Sequence, residues 1–194
     1  MSDTPTGPAA SAVVLSAREL VKRFGRRTVV QGLSLDVRAG EIVGLLGRNG
    51  AVKTTTFRMV GGLIRPDAGA VQRRGADVTD LPMYLRARAG MGYLPQEASI
   101  FRRMTVTENL LAVLEAQGGS RAEQRTRCDG LMAELGLHPV AASRAETLSG
   151  GERRRLEIAR ALALRPAVML LDEPFAGVDP IAVADIQALV RDLR

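Results

Sequence analysis

Residues 42–46, Ile-Val-Gly-Leu-Leu, form a short, almost wholly apolar run that breaks directly into a glycine-rich turn, GRNGAVKTT at 47–55. The run has strand length, and its apolar character suits a strand buried on both faces, as in a parallel sheet sandwiched between helices. A second run, Val168-Met169-Leu170-Leu171, has the same character. Leu33, Leu35 and Val37 instead alternate with Ser34, Asp36 and Arg38, the period-two pattern of a half-buried strand. Between these runs, residues 97–165 read as mainly helical. Thr105-x-x-Glu108 and Ser120-x-x-Glu123 match capping boxes and predict helices over 106–117 and 121–135. Asp179-Pro180 predicts a further helix from about residue 181, still running at Arg194. Buried strands interrupted by a helical insertion define an α/β chain with a three-layer core and a helical lobe.

A chain of 194 residues, 46% hydrophobic and 25% charged, can bury a real core, which excludes a disordered tail or a coiled rod for its bulk. Residues 1–12 read as a frayed tail. Residues 13–194 read as one domain, with a core of 13–96 and 166–194 around a helical subdomain of about 97–165. No uncharged apolar stretch approaches the roughly 18 residues that cross a bilayer, and the first twelve residues lack a basic start, so any membrane role is expected to be peripheral. Cys128 and His138 are each the sole residue of their type, which leaves no cluster for a metal and suits a reducing compartment. A net charge of +6 invites a nucleic-acid reading, but the basic residues are scattered and aromatics make up only 3%. Nucleic acid is not an expected partner. Of 27 basic residues only Lys22 and Lys53 are lysine, and a lysine that survives so strong an arginine habit invites inspection. Met59, Met83, Met91 and Met104 read as packing residues.

Three constellations carry chemistry. The turn at 47–55 can wrap backbone N–H groups around phosphates, with the dipole of the following helix behind them. Lys53 would reach the β and γ phosphates, and Thr54 would hold Mg²⁺ through its hydroxyl. The strict pattern G-x-x-x-x-G-K-[ST] fails at one place, Val52, where the second glycine belongs; left-handed torsions there would strain a β-branched residue. A plain glycine-rich turn is the alternative reading. In VMLLDE at 168–173, an apolar strand delivers two carboxylates to its C-terminal end, where open α/β sheets bind ligands. Asp172 could hold Mg²⁺ through water and Glu173 could polarise an attacking water, the alternative being an ordinary acidic turn. The third, LSGGE at 148–152, is a capping box whose two glycines each cost roughly 1 kcal/mol against alanine in a helix. That expense fits a turn that something must approach closely, and its exposed N–H groups make it an anion site.

The ordered set of the 47–55 loop, Gln96 after MGYLP, LSGGE at 148–152, LLDEP at 170–174 and AGVDP at 176–180 resembles the nucleotide-binding subunits of ABC transporters, from about residue 13 onward. More narrowly, YLPQEASIFRRMTVTENL, SGGERRRLEIARALA and LLDEPFAGVDPI resemble the lipopolysaccharide-export branch of that family. The ATPases of branched-chain amino-acid importers share the general motifs and less of the SIFRR and FAGVDPI wording.

The resemblance implies a P-loop NTPase core of ABC ATPase type and an ATP sandwich between two copies of the chain. Gly47, Asn49, Gly50, Ala51, Val52, Lys53, Thr54 and Thr55 of one copy would bind ATP and Mg²⁺, and Ser149, Gly150 and Gly151 of the other would meet the γ phosphate. Phe24 would stack on adenine, Gln96 would touch Mg²⁺ and the attacking water, and Asp179 would lie at the dimer seam. Phe101 lies in the stretch that would receive a membrane subunit. The implied role is transport-coupled ATP hydrolysis, peripheral to the cytoplasmic side of a bacterial inner membrane. Alternatives are an importer ATPase, a catalytically impaired fragment and a soluble non-transport ATPase. Two departures matter: Val52 replaces a family glycine, and the family's switch histidine falls beyond Arg194, so the C-terminal part of the core is expected to be missing.

Overall fold

The computed structural model describes residues 11–47, 50–97, 99–176 and 178–192. The tail expected at 1–12 therefore lies almost wholly outside the described residues, as do Arg48 and Asn49. The chain divides into two compact units between Leu81 and Pro82.

The first unit is an antiparallel sheet in the order β2-β1-β3-β4, from β1 (Val13–Phe24), β2 (Arg27–Arg38), β3 (Ala68–Arg73) and β4 (Ala76–Asp77). The two long strands form a hairpin closed by Gly25-Arg26, where Gly25 takes φ 59°, as the first position of a II′-type turn requires. The alternation at 33–38 holds: Leu33, Leu35 and Val37 are partly covered while Ser34, Asp36 and Arg38 are exposed. Helix α1 (Gly50–Gly61) packs on β1 and β2 and buries Thr55, Thr56, Met59 and Val60. It ends where Gly62 turns left-handed at φ 78°, letting Leu63 N–H reach back to the Arg58 carbonyl at 2.9 Å.

The strand expected at 42–46 is not formed. The segment has no regular structure, and Ile42, Val43 and Leu46 are exposed, Leu46 at 93%. The apolar pattern states a preference for a strand, but a strand exists only where a second segment completes its ladder. Among the described residues none pairs with 42–46.

The second unit pairs β5 (Met91–Leu94) with β6 (Val168–Leu171) in parallel, in the register Met91↔Val168 through Leu94↔Leu171. Around them lie α2 (Met83–Arg88), α3 (Val106–Gln117), α4 (Arg121–Glu134), α5 (Gly150–Ala163) and α6 (Pro180–Asp192). The capping boxes at Thr105, Ser120 and Ser149 all form, each with the hydroxyl accepting from the N3 amide and the N3 glutamate accepting from the N-cap amide. Such a cap contributes about 1 kcal/mol, enough to fix where these helices begin. Leu110, Leu131, Leu135, Leu156 and Ile158 fill the core between α3, α4 and α5. Each stabilises the unit by about 1.5–3 kcal/mol through burial. Met59 and Met91 pack as expected, whereas Met83 is exposed, because it opens a six-residue helix whose buried residue is Arg86.

Candidate active site

In the first unit, the chemistry expected of the 47–55 loop centres on the first turns of α1. Gly50, Ala51, Val52, Lys53 and Thr54 are all helical; Gly50 and Ala51 are exposed, Lys53 and Thr54 half-buried. Val52 does not take the left-handed torsions that would strain it. It is an ordinary helical residue whose carbonyl accepts from Thr56 Oγ1 at 2.8 Å. Torsional strain at Val52 is therefore ruled out, because the residue already lies inside the helix, and its departure from glycine reduces to the bulk of two methyl groups. Phe24, at the tip of the hairpin, is 53% exposed, which suits a ring awaiting a partner better than a core aromatic.

In the second unit, the parallel register makes Pro95-Gln96 and Asp172-Glu173 leave the sheet at the same, C-terminal, end. Asp172 N–H continues the ladder to the Leu94 carbonyl at 3.0 Å. The Asp172 side chain is only 2% exposed, and Tyr93 Oη donates to its Oδ2 at 3.4 Å. The next residue turns outward. Glu173 takes φ 47°, a left-handed conformation that a non-glycine residue adopts at a cost of about 1–3 kcal/mol, and its side chain is exposed. Strain of that size persists only where the surroundings enforce it.

The enforcing group is Arg154, on the first turns of α5. Its guanidinium donates Nε–H to the Pro174 carbonyl at 2.8 Å, Nη2–H to the Glu173 carbonyl at 3.4 Å and Nη1–H to the Pro95 carbonyl at 3.2 Å. Glu157, one turn on, pairs with Nη1 at 2.7 Å. One buried cation thus ties the ends of both strands to the helix that begins at Ser149. The sequence does not single this residue out, because it stands inside the run Arg153-Arg154-Arg155, the densest basic group of the chain. The available signal was the helical spacing of Arg154 and Glu157 on a face shared with Ile158 and Ala161.

Ser149, Gly150 and Gly151 occupy the expected place at the start of α5. Ser149 Oγ accepts from Glu152 N–H at 3.3 Å and donates to Glu152 Oε2 at 2.7 Å. The hydroxyl's bond to Oε2 first, and Ser149 N–H donating to the same oxygen at 2.9 Å second, hold the Glu152 carboxyl below its ordinary range. Gln96 is exposed just beyond β5. Phe101 is half-exposed, and the Arg160 guanidinium lies 4.5 Å from its ring centroid while donating to the Ser99 carbonyl. Burial pulls the Arg160 guanidinium below the ordinary arginine range, against the opposing pull of Glu157. The loop is pinned from below by Asn109, fully buried, whose amide accepts from Phe101 N–H at 2.8 Å and donates to the Phe101 and Thr105 carbonyls at 3.0 and 2.9 Å. Asn109 was also missed; a buried asparagine inside an apolar helix is the signal.

The ABC transporter family model matches residues 30–176, and with this site it shows that the chain belongs to the ABC transporter family as an ATP-binding subunit. The fold is the α/β fold of ABC ATPases. The chain is 55% identical to the lipopolysaccharide export system ATP-binding protein LptB of Escherichia coli (strain K12), over 93% of the chain and 75% of that protein. The LptB protein of Acidithiobacillus ferridurans matches at the same identity and coverage. A probable ABC transporter ATP-binding protein of Azorhizobium caulinodans is 58% identical over 96% of the chain and 66% of its own length. Among solved structures, an ATP-binding cassette of an ABC transporter in its ADP conformation superposes with a TM-score of 0.83 at 28% identity, covering 94% of this chain and 77% of that one. Among the described residues no helix is long and apolar enough to cross a membrane.

Proposed function

We propose that this chain hydrolyses ATP to drive lipopolysaccharide export, as a homodimer bound to transmembrane subunits on the cytoplasmic side of a bacterial inner membrane. The reading rests first on the carboxylate pair: a buried Asp172 and an outward, strained Glu173 at the end of a parallel strand. The 55% identity to LptB proteins supports the substrate. In this reading a nucleotide-binding core of 13–96 and 166–194 carries a helical subdomain of about 97–165.

The chemistry of the individual groups supports this reading. Lys53 would offer an ammonium and the start of α1 its amides to the phosphates, and Gly47, Asn49, Gly50, Ala51 and Thr55 of the same motif would bind the nucleotide with them. By the family resemblance Thr54, Gln96 and, through water, Asp172 are each assigned to Mg²⁺, which when bound would offset charge on the phosphates. Glu173 takes a proton from the attacking water, oriented with Gln96. Ser149, Gly150 and Gly151 of a second copy close on the γ phosphate, Asp179 faces the seam, and Phe24 stacks on adenine. Phe101, presented by Asn109 and Arg160, receives the membrane subunits. Val52 favours a second reading, nucleotide binding with weak turnover, since its methyls stand where the strict G-x-x-x-x-G-K-[ST] pattern has a glycine.

The test compares Lys53→Ala with Glu173→Gln by size-exclusion chromatography with saturating Mg-ATP and by phosphate release. Glu173→Gln should retain ATP and elute as a dimer, while Lys53→Ala should lose ATP and stay monomeric. A monomeric Glu173→Gln protein would sink the sandwich.

A further inference from the structure

Lys22 is one of the chain's two lysines, and it lies two residues before Phe24 on β1. Its side chain is only 16% exposed, well covered for a lysine on a small sheet. The ammonium donates to the Arg65 carbonyl at 2.7 Å and to Asp67 Oδ1 at 2.9 Å, and it lies 5.8 Å from the centroid of the Phe24 ring. Three donors on one ammonium thus face two oxygens and one aromatic ring.

The same short segment grips the strand end on both sides of Lys22. Asp67 N–H donates to the Val21 carbonyl at 2.8 Å, and Asp67 Oδ2 accepts from Arg23 N–H at 2.6 Å. Residues 21–23 are therefore fastened to 65–67, and Phe24 is the next residue out, at the hairpin tip opposite Arg27. A half-exposed ring at the end of a hairpin would ordinarily swing in solvent. Here its backbone is clamped from two sides, and one face of the ring meets a cation.

We propose that Lys22 is the positioning residue for base recognition: held by Asp67 and the Arg65 carbonyl, its ammonium fixes the Phe24 ring with its other face turned to a planar, uncharged, π-rich base such as a purine. The inference rests on the reading of Phe24 as the ring that stacks on the nucleotide's base. A cation against the ring's electron-rich face holds it by the ring quadrupole, and a ring already held loses less freedom when a base stacks on it. The interaction also sets a preference: the positive charge behind the ring favours neutral or electron-rich rings over cationic ones. The hydrogen bonds to Asp67, from Lys22 first and Arg23 N–H second, hold its carboxyl below the ordinary range, so the clamp stays charged at neutral pH.

Isothermal titration calorimetry tests this with two probes, ATP and inorganic tripolyphosphate, which has the phosphates and no base. It uses the parent chain and, alongside it, Val52→Gly as a background of stronger phosphate binding. Lys22→Met, which keeps the apolar stem, should weaken ATP binding roughly 2- to 5-fold and leave tripolyphosphate unchanged. Lys22→Arg should restore ATP binding, and Lys22→Met should have no further effect once Phe24→Ala is in place. If Lys22→Met fails to fold, Lys22→Gln, uncharged but still able to reach the Arg65 carbonyl, takes its place. Equal loss for both probes would make Lys22 merely structural and overturn the proposal. Loss of ATP at Phe24→Ala with none at Lys22→Met would overturn the role of Lys22 alone. An unchanged ATP-to-tripolyphosphate ratio in Phe24→Ala would remove the stacking itself and the proposal with it.

Discussion

Replacing Arg154 by methionine removes a cation that joins the ends of β5 and β6 to α5. The side chains of Arg154 and Glu157 are 5% and 4% exposed, so the substitution leaves a buried carboxylate without its hydrogen-bonded counter-charge and with only the longer-range pull of Arg160. Removing one partner of a buried pair costs about 3–5 kcal/mol. At about 2–4 °C per kcal/mol for a chain of this size, Arg154→Met should lower the melting temperature by about 6–20 °C. Arg154→Met/Glu157→Met removes both charges, and an apolar pair of similar volume is often as stable as the ion pair it replaces, so most of that loss should return. Phosphate release should not return with it. The Pro95, Glu173 and Pro174 carbonyls still lack their donor, and nothing replaces what held Glu173 at φ 47°. The assay is therefore a pair of measurements, calorimetric melting and steady-state phosphate release, on the parent and both variants. A single variant melting within about 3 °C of the parent would show that the pair is not buried in solution. A double variant with full turnover would show that Arg154 acts only on stability.

Val52→Gly should move two quantities in opposite directions: ATP affinity rises as the methyls leave, while the melting temperature falls slightly, because glycine inside a helix costs more than valine. Calorimetric titration and thermal melting read both. The glutamates of the three capping boxes, Glu108, Glu123 and Glu152, accept hydrogen bonds from their N-cap residues that hold them below the ordinary 4.5. Their stabilisation is present above that value and is lost as pH falls through the lower folded values, where the native carboxylates also protonate. Melts between pH 7 and pH 3 should show the loss, and glutamine at all three positions, which keeps the caps without the titration, should flatten it. Burial first, and Asp129 second, push the Cys128 thiol above its ordinary 9.0. Iodoacetamide at pH 8 should therefore label the native chain at least roughly tenfold more slowly than the guanidinium-unfolded chain, by mass spectrometry.

The helices were legible because their signals are local. Thr105, Ser120 and Ser149 each stand three residues before a glutamate, and a capping box closes within one turn whatever surrounds it. The hairpin strand at 33–38 and the apolar strand at 168–171 were legible for a similar reason: side-chain period reports which faces are covered. The motifs that carry the chemistry, Lys53-Thr54, Ser149-Gly150-Gly151 and Asp172-Glu173, are contiguous and could be read as strings. Sequence could not decide whether 42–46 forms a strand, because a strand belongs to two segments and its own residues specify only one. It could not show that Arg154 is buried while its neighbours in the same triplet lie nearer the surface, since position on a helix face acquires meaning only when something packs against it. Nor could it show that Val52 is unstrained, because torsions follow from where the helix starts. Asn109 gripping Phe101 and Asp67 gripping Lys22 join residues 8 and 45 positions apart. Such contacts depend on how the chain returns upon itself, and that is decided by the packing of the whole unit rather than by any window of its sequence.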